Sequence, residues 1–199
     1  MGSVFGSIKE EESARFEVVG LDGDVEIRQY HAMVVAETEI DPADTSAAFT
    51  TLASYYGVIG SPANRGKLRN ERSSAGPPVS IDMTVPVLRS VNASGVPVMA
   101  FVLSPRRFPT LSRAPTPTSE KVTLREVDEH YRAVIRYTGA STYQKDRDVA
   151  RVIIDAVRKN PRVELANGTR FSRASFNSPF SLPFWRTNEV HVDINLVDL

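Results

Sequence analysis

The sequence predicts an α+β protein, a distorted, antiparallel-rich β-barrel that carries two helices. Segments in which apolar and polar residues alternate at period two, as in strands, outnumber segments with helical periodicity. The order strands–helix–strands occurs twice, over about residues 16–103 and 121–196, and each copy contains a strand interrupted by proline. We therefore expect a pseudo-duplicated unit within a single domain at residues 14–199, after a flexible N-terminus at residues 1–13.

In the first copy, the Asp22–Gly23 turn signal predicts a hairpin. The segment Val79–Leu88, VSIDMTVPVL, alternates apolar and polar residues as a strand does. Its Pro86 confines that point to a strand end, a bulge or a sheet edge, and Pro179 takes the same place in the second copy. Strands of the first copy are expected at residues 16–19, 25–30, 32–40, 79–88 and 96–103.

The first helix is predicted to begin at Asp41 as its N-cap, with Pro42 at the first helical position, and to end at Gly57. Its apolar residues form two adjacent rows with helical spacing, Ala48, Leu52 and Tyr55 in one and Phe49, Ala53 and Tyr56 in the other. Because one row suffices to pack on a sheet, the second row is expected to be free for another contact.

The second copy repeats the pattern, with strands expected at residues 121–127, 131–138, 170–177 and 189–196. Ser141 and Gln144 form a capping box at the start of the second helix, which ends at Asn160–Pro161. The last strand alternates cleanly. We expect its apolar residues to face the core and its polar residues to face solvent, the apolar set being Val190, Val192, Ile194 and Leu196 and the polar set Glu189, His191, Asp193 and Asn195.

The composition excludes several classes of protein. There are 24 basic and 24 acidic residues, and this balance argues against a general nucleic-acid binder. The absence of cysteine excludes disulfides, thiolate metal sites, iron–sulfur clusters and cysteine catalysis. No apolar run reaches membrane-spanning length, so we expect a cytoplasmic protein without a membrane span.

The usual enzyme signatures are also missing, since the chain has no G-x-S-x-G, no phosphate-binding glycine loop and no H-E-x-x-H. His130 in a turn and His191 on the outward side of the last strand are expected to be solvated, and Glu189 is expected to be an isolated carboxylate. His31 continues the alternation of Val25 and Ile27, which leaves two interpretations open, a hydrogen-bonded core group or a ligand.

Two loops carry unusual side chains. The loop at residues 57–78 holds a basic cluster, which is either a solvated surface or an anion site, formed by Arg65, Lys67, Arg69 and Arg72. The segment Phe176–Trp185, FNSPFSLPFW, must bury its large apolar side chains against a core or a ligand. The wall of a pocket and a simple core plug are both consistent with that composition.

Four motifs in this order, YYGVIGSPAN, IDMTVPV, APTPTSEKVTLRE and FNSPFSLPFWRTNEV, resemble the SOUL/heme-binding protein family, from about Phe16 to Leu196. The spacing in LASYYGVIGSPAN is most similar to plant and algal members. The resemblance implies a distorted β-barrel with two helices, related in fold to the ligand-binding domains of multidrug-sensing transcription regulators. It also implies reversible binding of heme and other tetrapyrroles in a hydrophobic cleft beside the first helix.

Carried over to this chain, the resemblance implies a cleft lined by Phe49, Ala53 and Tyr56 of the first helix. The opposite wall would comprise the strand of Met83 and the loop residues Phe180, Leu182, Phe184 and Trp185. Positions that are basic in some heme-binding members are Ser46 and Ser54 here, so we assign the heme propionates to Arg65, Lys67 or Arg69.

The axial ligand of the iron is a second position at which this chain differs from the family pattern. Some members have a histidine at the position of Gln29. His31 lies two residues further on, and therefore on the same side of an extended strand, so it is the candidate ligand. The other interpretation is that the iron has no protein ligand.

The sequence thus predicts a carrier, buffer or sensor of heme or another tetrapyrrole, without catalysis of its own. Two alternatives stay open. One is an enzyme that acts on the bound tetrapyrrole by removing iron or modifying the ring. The other is an interaction module that keeps the fold and has lost the ligand.

Overall fold

The computed structural model describes residues 14–67, 76–166, 168, 170–177 and 183–197. It contains two helices, α1 Thr45–Tyr56 and α2 Tyr143–Lys159, and two short 3-10 turns at Leu111–Arg113 and Pro183–Trp185. The strands are β1 Phe16–Asp22, β2 Val25–Tyr30, β3 Met33–Glu39, β4 Asn64–Arg65, β5 Val87–Val91, β6 Pro97–Val102, β7 Thr116–Pro117, β8 Thr123–Val127, β9 His130–Thr138, β10 Val163–Leu165, β11 Phe171–Ser175 and β12 Thr187–Leu196.

The predicted fold class, α+β with an antiparallel-rich sheet and two helices, is confirmed. The pairs β1–β2, β2–β9, β9–β12, β12–β11, β12–β10, β3–β6, β3–β8 and β4–β7 are all antiparallel. The predicted hairpin is also present, since β1 and β2 are joined through Gly23, whose φ of 60° is the left-handed conformation that glycine tolerates.

The chain forms two compact units that interleave along the sequence. The first unit comprises Met1–Ala14, Met33–Val87 and Asn92–Val127, and the second comprises Arg15–Ala32, Leu88–Val91 and Asp128–Leu199. Each unit has its own helix and its own hydrophobic core. The single domain with two sequential pseudo-repeats stays a prediction.

In the first unit, β3 lies between β6 and β8, and α1 packs against β3 and β6. The predicted start of α1 is wrong, because the N-cap is Asp44 and Asp41 precedes the helix. The Asp44 carboxylate accepts hydrogen bonds from the backbone N–H groups of Ser46 at 3.1 Å and Ala47 at 3.2 Å. Asp41 instead closes a turn by accepting the N–H of Ala43 at 2.8 Å.

The end of α1 is as predicted. Gly57 has a φ of 79°, and its N–H reaches the last carbonyl groups of the helix. A Cβ at this position would lie 2.5 Å from the ring of Pro62, so both the conformation and the close approach require glycine.

The second apolar row of α1 is not free, which corrects the prediction for Ala53 and Tyr56. Both side chains are completely buried. The Tyr56 hydroxyl donates to the carbonyl of Val102 at 3.1 Å, and its ring meets the ring of Phe101 edge-on at 5.4 Å. Phe49 is half-buried and also contacts Phe101, with ring centroids 5.4 Å apart. Both rows therefore pack into one core.

The predicted strand at Val79–Leu88 is wrong for most of its length, since only Val87 and the residues after it form β5. The reason lies in Asn64, which is buried. Its amide accepts the N–H of Val79 at 2.9 Å and donates to the carbonyl of Val79 at 2.8 Å and of Tyr55 at 2.7 Å. The N–H of Ile81 donates to the carbonyl of Tyr56 at 2.9 Å. A side chain and a helix end thus satisfy backbone groups that a strand neighbour would otherwise bind.

In the second unit, the strand order is β1-β2-β9-β12-β11-β5, and β10 also pairs with β12. Helix α2 covers one face of this sheet, where its core residues Ala150, Ile153 and Val157 belong to one cluster with Val190 and Val192. The N-cap of α2 is Thr142, whose hydroxyl accepts the N–H of Lys145 at 3.2 Å. The predicted cap Ser141 instead donates to Asp146, and Leu196, predicted to face the core, is exposed.

We expect Asn64→Ala to lower the free energy of unfolding by about 2–4 kcal/mol, because it leaves buried backbone groups of Tyr55 and Val79 without partners. Urea unfolding followed by circular dichroism measures this loss. Asn195→Ala is the control, since Asn195 is exposed and makes one long hydrogen bond of 3.4 Å to Glu164. Equal destabilisation by the two substitutions would contradict the role assigned to Asn64.

Candidate functional site

The α1 side of the first unit presents two half-buried apolar side chains, Phe49 and Met83, both packed against the core that contains Tyr56 and Phe101. Burial raises the pKa of Tyr56 well above its usual value, with a smaller increase from the neighbouring Tyr55. Its hydroxyl is therefore neutral at physiological pH and already bound to Val102. The completely buried Ala53 and Tyr56 form the interior beneath this surface, not the surface itself.

Two of the three predicted propionate partners lie in the first unit with exposed side chains. Arg65 belongs to β4, which pairs with Thr116 of β7. The Lys67 ammonium donates to the carbonyl of Leu111 at 3.2 Å, and Leu111 is packed against the same core as Phe49. Arg69, and Arg72 of the same basic cluster, lie outside the described residues.

A groove of about 920 Å³ lies along the other side of α1, beside Ala47, Ala48 and Thr51. Its charged lining is predominantly acidic, with Lys121 as the single base against the carboxylates of Glu37, Glu39, Asp41 and Glu120. A ligand with two carboxylates would be repelled there. The groove is consequently unsuited to the propionates of a tetrapyrrole.

The aromatic loop is only partly described. Phe180 and Leu182 lie outside the described residues. Phe184 and Trp185 are in the second unit and are 66% and 70% exposed, with ring centroids 5.7 Å apart. The prediction that a core buries them is wrong for these two residues, because they lie on a surface 3-10 turn. Their role in ligand binding stays a prediction.

His31 follows β2, and its ring is exposed, so the interpretation as a core group is wrong. The backbone N–H donates to the carbonyl of Arg15 at 3.1 Å, which ties the residue to the start of β1. The ring nitrogens lie 3.7 Å from the Glu17 carboxylate and 3.9 Å from that of Glu129. Both ring nitrogens thus face carboxylates, and the role of His31 as an iron ligand stays a prediction.

The sheet of the second unit contains a buried charged cluster that the sequence did not predict. Glu189 is 0% exposed, and each of its carboxylate oxygens accepts two hydrogen bonds. Oε1 accepts from Arg28 Nη2 at 3.0 Å and from Arg136 Nε at 2.8 Å. Oε2 accepts from Arg28 Nη1 at 3.0 Å and bonds His191 Nε2 at 2.9 Å. The predictions of a solvated His191 and an isolated Glu189 are therefore wrong.

The cluster is matched in charge. Arg28 is 2% exposed and also donates to Glu26 at 2.7 Å and to the Tyr30 hydroxyl at 3.1 Å. The ring of Phe16 covers its guanidinium at 4.3 Å. Burial alone would raise the pKa of Glu189, but its bonds with His191 and Arg28 outweigh burial and lower that pKa to about 2.

His191 is neutral in this cluster. Burial lowers its pKa, and the positive charge of Arg132 adds to the decrease, while the bond to Glu189 opposes it. With Nε2 donating to Glu189, Nδ1 keeps a lone pair directed at Arg132 Nη1, 3.4 Å away. A proton on Nδ1 of His191 would lie next to the positively charged guanidinium of Arg132, which is unfavourable. His130, in contrast, stacks on the ring of Tyr30 with centroids 5.4 Å apart, and it is half-buried rather than solvated.

The cluster has a signal in the sequence that strand alternation alone does not reveal. In the β9–β12 register, Glu189 lies opposite Arg136, and Asp193 lies opposite Arg132. Opposite charges at matched positions of two alternating strands favour pairing of those strands. Pairing the predicted strands by charge would therefore have identified these contacts.

The family model described as SOUL heme-binding protein matches residues 11–193. The chain belongs to the SOUL heme-binding family. This match confirms the family that the four motifs resemble. The SOUL family is associated in general with a heme-type ligand. No curated protein matches this chain in sequence.

Solved structures similar to this SOUL protein support the fold. An EcmrR–DNA complex matches with a TM-score of 0.54 at 8% identity over 87% of this chain and 57% of the other. The EcmrR C-terminal domain matches with a TM-score of 0.53 at 7% identity, covering 87% and 98% of the two chains. An uncharacterised conserved protein from Listeria innocua matches with a TM-score of 0.51 at 10% identity, covering 86% of this chain and 92% of the other. The SOUL chain thus spans little more than half the length of the complete EcmrR chain.

Neither helix in the described part of this SOUL protein has the length and apolar character that crossing a membrane requires. Within the same residues, no three histidine, cysteine or carboxylate side chains converge as a metal site. The first unit offers apolar side chains in the half-buried Phe49 and Met83 and exposed cationic side chains in Arg65 and Lys67.

We expect Glu189→Gln to lower the free energy of unfolding by about 3–5 kcal/mol, because it leaves the buried Arg28 guanidinium without its counter-charge. Urea unfolding measures the loss. The exposed Glu164→Gln is the matched control and should change stability by less than about 0.5 kcal/mol. The double substitution Arg28→Met with Glu189→Leu should be less destabilising than Glu189→Gln, and the opposite order would contradict the assigned pairing.

Acid should destabilise the protein through the same cluster. The pKa of Glu189 is about 2 when folded against a usual 4.5, so the unfolded chain binds a proton first as pH falls. Its contribution, on the order of 3 kcal/mol, is complete above pH 4.5 and is lost toward pH 2. The lowered pKa of His191 acts in the same direction, beginning below pH 6.5. Urea midpoints measured from pH 7 to 3 should fall steeply for the wild type and less for Glu189→Gln; parallel curves would contradict the assignment.

Proposed function

We propose that this SOUL protein reversibly binds heme or another tetrapyrrole on the apolar surface beside α1, as a carrier, buffer or sensor. The observation that supports the location is the position of Phe49, which is half-buried and lies edge-on against Phe101 above a completely packed interior. Met83 packs against the same core. Half-buried apolar side chains of this kind are suited to contact the face of a porphyrin.

The charge around this surface determines where the propionates lie in the proposal. The groove on the other side of α1 is lined by four carboxylates and is unfavourable for them. Arg65 and Lys67 are the described cations of the basic loop. Exposed guanidinium and ammonium groups form charge-assisted hydrogen bonds with carboxylates while the porphyrin ring remains on apolar side chains.

Iron ligation is not required in this proposal. The ring nitrogens of the predicted ligand His31 lie 3.7 Å from the carboxylate of Glu17 and 3.9 Å from that of Glu129. Binding that rests on the porphyrin face and the propionates is equally available to heme and to metal-free protoporphyrin IX. Such binding is reversible, as transport or buffering requires.

Titration with hemin and with protoporphyrin IX, followed by the Soret band and by fluorescence respectively, tests the proposal. We expect saturable binding of both ligands and about tenfold weaker binding by Phe49→Ala, since burial of part of an aromatic ring is worth about 1.4 kcal/mol. Leu21→Ala, which removes an apolar side chain from β1 of the second unit, is the matched control. Absence of saturable binding by either ligand would overturn the proposal and favour an interaction module.

Protoporphyrin IX dimethyl ester, which lacks the two charges, separates the roles of the cations and of the apolar surface. Replacing Arg65 and Lys67 by Gln should weaken binding of protoporphyrin IX and leave binding of the ester unchanged. His31→Ala should not change the affinity of either. A lost Soret shift in His31→Ala would establish axial ligation instead, and slow catalytic conversion of the pigment would favour the enzyme.

A further inference from the structure

The groove of about 920 Å³ beside α1 follows a part of β3 that has a strand on one side only. The last pair between β3 and β8 joins Glu37 and Thr123, while β3 continues to Glu39 beside β6. Among the described strands, the last two residues of β3 therefore have β6 as their single neighbour. Every residue that lines the groove belongs to the first unit. Its volume is that of a typical small-molecule cleft.

This groove contains more carboxylates than cations. Three of its four carboxylates, those of Glu39, Asp41 and Glu120, form no ion pair in the described part of the chain. The fourth, Glu37, pairs with the exposed Arg125 at 3.1 Å. The lining contributes a single lysine. An excess of negative charge thus remains in the groove, and it favours a cationic ligand.

A buried hydroxyl lines the groove as well. Thr38 of β3 is only 6% exposed, and its hydroxyl has no hydrogen-bond partner among the described residues. It lies on the same face of β3 as Ala36, which packs into the core under α1. Thr51 of α1 brings a second, half-buried hydroxyl to the same groove. Since a buried hydroxyl without a partner is unfavourable, Thr38 Oγ1 is an acceptor available to a ligand that donates hydrogen bonds.

The arrangement of the carboxylates restricts the kind of cation. Within the described residues, no three carboxylate or histidine side chains converge as metal ligands do. The lining also includes the small apolar side chains of Ala47 and Ala48 on α1 and the buried Val98 on β6. A compact metal ion requires convergent oxygens. Carboxylates that are spread over a partly apolar groove instead match a cation whose charges are separated by methylene groups.

We propose that this groove binds a linear aliphatic polyamine. Its ammonium groups donate charge-assisted hydrogen bonds to Glu39, Asp41 and Glu120, and one of them also donates to Thr38 Oγ1. Its methylene segments lie against the alanines of α1. The groove is on the other side of α1 from Phe49, so this site is separate from the proposed tetrapyrrole surface.

Calorimetric titration of the full chain with 1,4-diaminobutane and with butylamine, at constant ionic strength, tests the site. The two ligands share a four-carbon chain and differ in one ammonium group. We expect saturable binding of the diamine at least tenfold tighter than that of butylamine, and weaker binding of the diamine at higher salt. Equal affinities for the two amines, or tighter binding of magnesium chloride than of the diamine, would overturn the proposal.

Carboxylate variants locate the binding. The double substitution Glu39→Gln with Glu120→Gln should weaken binding of the diamine at least tenfold, since it removes two partners of the ammonium groups. Glu126→Gln with Glu164→Gln is the matched control, because it removes the same charge from exposed positions that do not line the groove. An equal loss in the control would show general attraction to an acidic surface and would overturn the proposed site.

Thr38→Val tests the buried hydroxyl with a side chain of the same shape. Without amine, the thermal unfolding midpoint should stay the same or rise, because the hydroxyl has no partner within the described residues. Binding of the diamine should weaken at least threefold. A lower midpoint without amine would show that the hydroxyl stabilises the fold, and that result or an unchanged affinity would overturn the proposal.

The same variants distinguish failure of this site from failure of the tetrapyrrole proposal. Hemin and protoporphyrin IX should bind the variant Glu39→Gln with Glu120→Gln as they bind the wild type. The diamine should bind equally well to Phe49→Ala and to the wild type. If the diamine displaces hemin, the two ligands share one surface and the claim of a separate site is wrong.

Discussion

The buried bond between Arg28 and Glu189 constrains the whole sheet of the second unit. Removing two charges from water costs several kcal/mol per ion, and only complete hydrogen bonding offsets that cost. Here each carboxylate oxygen of Glu189 takes part in two hydrogen bonds, and Arg28 also donates to Glu26 and Tyr30. A one-residue slip of β12 would move Glu189 to the face covered by α2 and leave Arg28 without a counter-charge. The pair therefore helps to fix the register of β2, β9 and β12.

In the first unit, a neutral side-chain amide rather than an ion pair binds segments that are distant in sequence. The segment from Val79 to Pro86 is irregular and crosses the end of α1, where it has no strand neighbour. The single buried amide of Asn64 binds this segment and α1 at once, through Val79 and Tyr55. Because Ile81 bonds to the last turn of the helix, the position of Met83 follows from the same contacts. The packed surface beside α1 is thus held by the backbone rather than by side-chain packing alone.

Alternation and turn signals predict most strands and both helices, and the resemblance of four motifs indicates the family, but none of these signals shows what covers each face. On β12 the alternation correctly placed Val190 and Val192 against α2. It assigned Glu189 to solvent because period two distinguishes the two faces of a strand without showing whether one of them is buried. The same limit explains Tyr56, because helical spacing does not show that Phe101 of β6 covers its row. Contacts between segments distant in sequence decide these positions, and local pattern contains no information about them.

The balance of 24 basic and 24 acidic residues conceals strong local differences. Carboxylates line the groove beside Ala47 and Thr51, whereas Arg65 and Lys67 of the same unit are exposed cations. A neutral chain exerts little long-range attraction on an anion, so its net charge cannot raise the association rate. Selection of an anionic ligand must then come from short, charge-assisted bonds at particular arginines and lysines. For this SOUL protein, the location of exposed cations is consequently a better guide to its ligands than its composition.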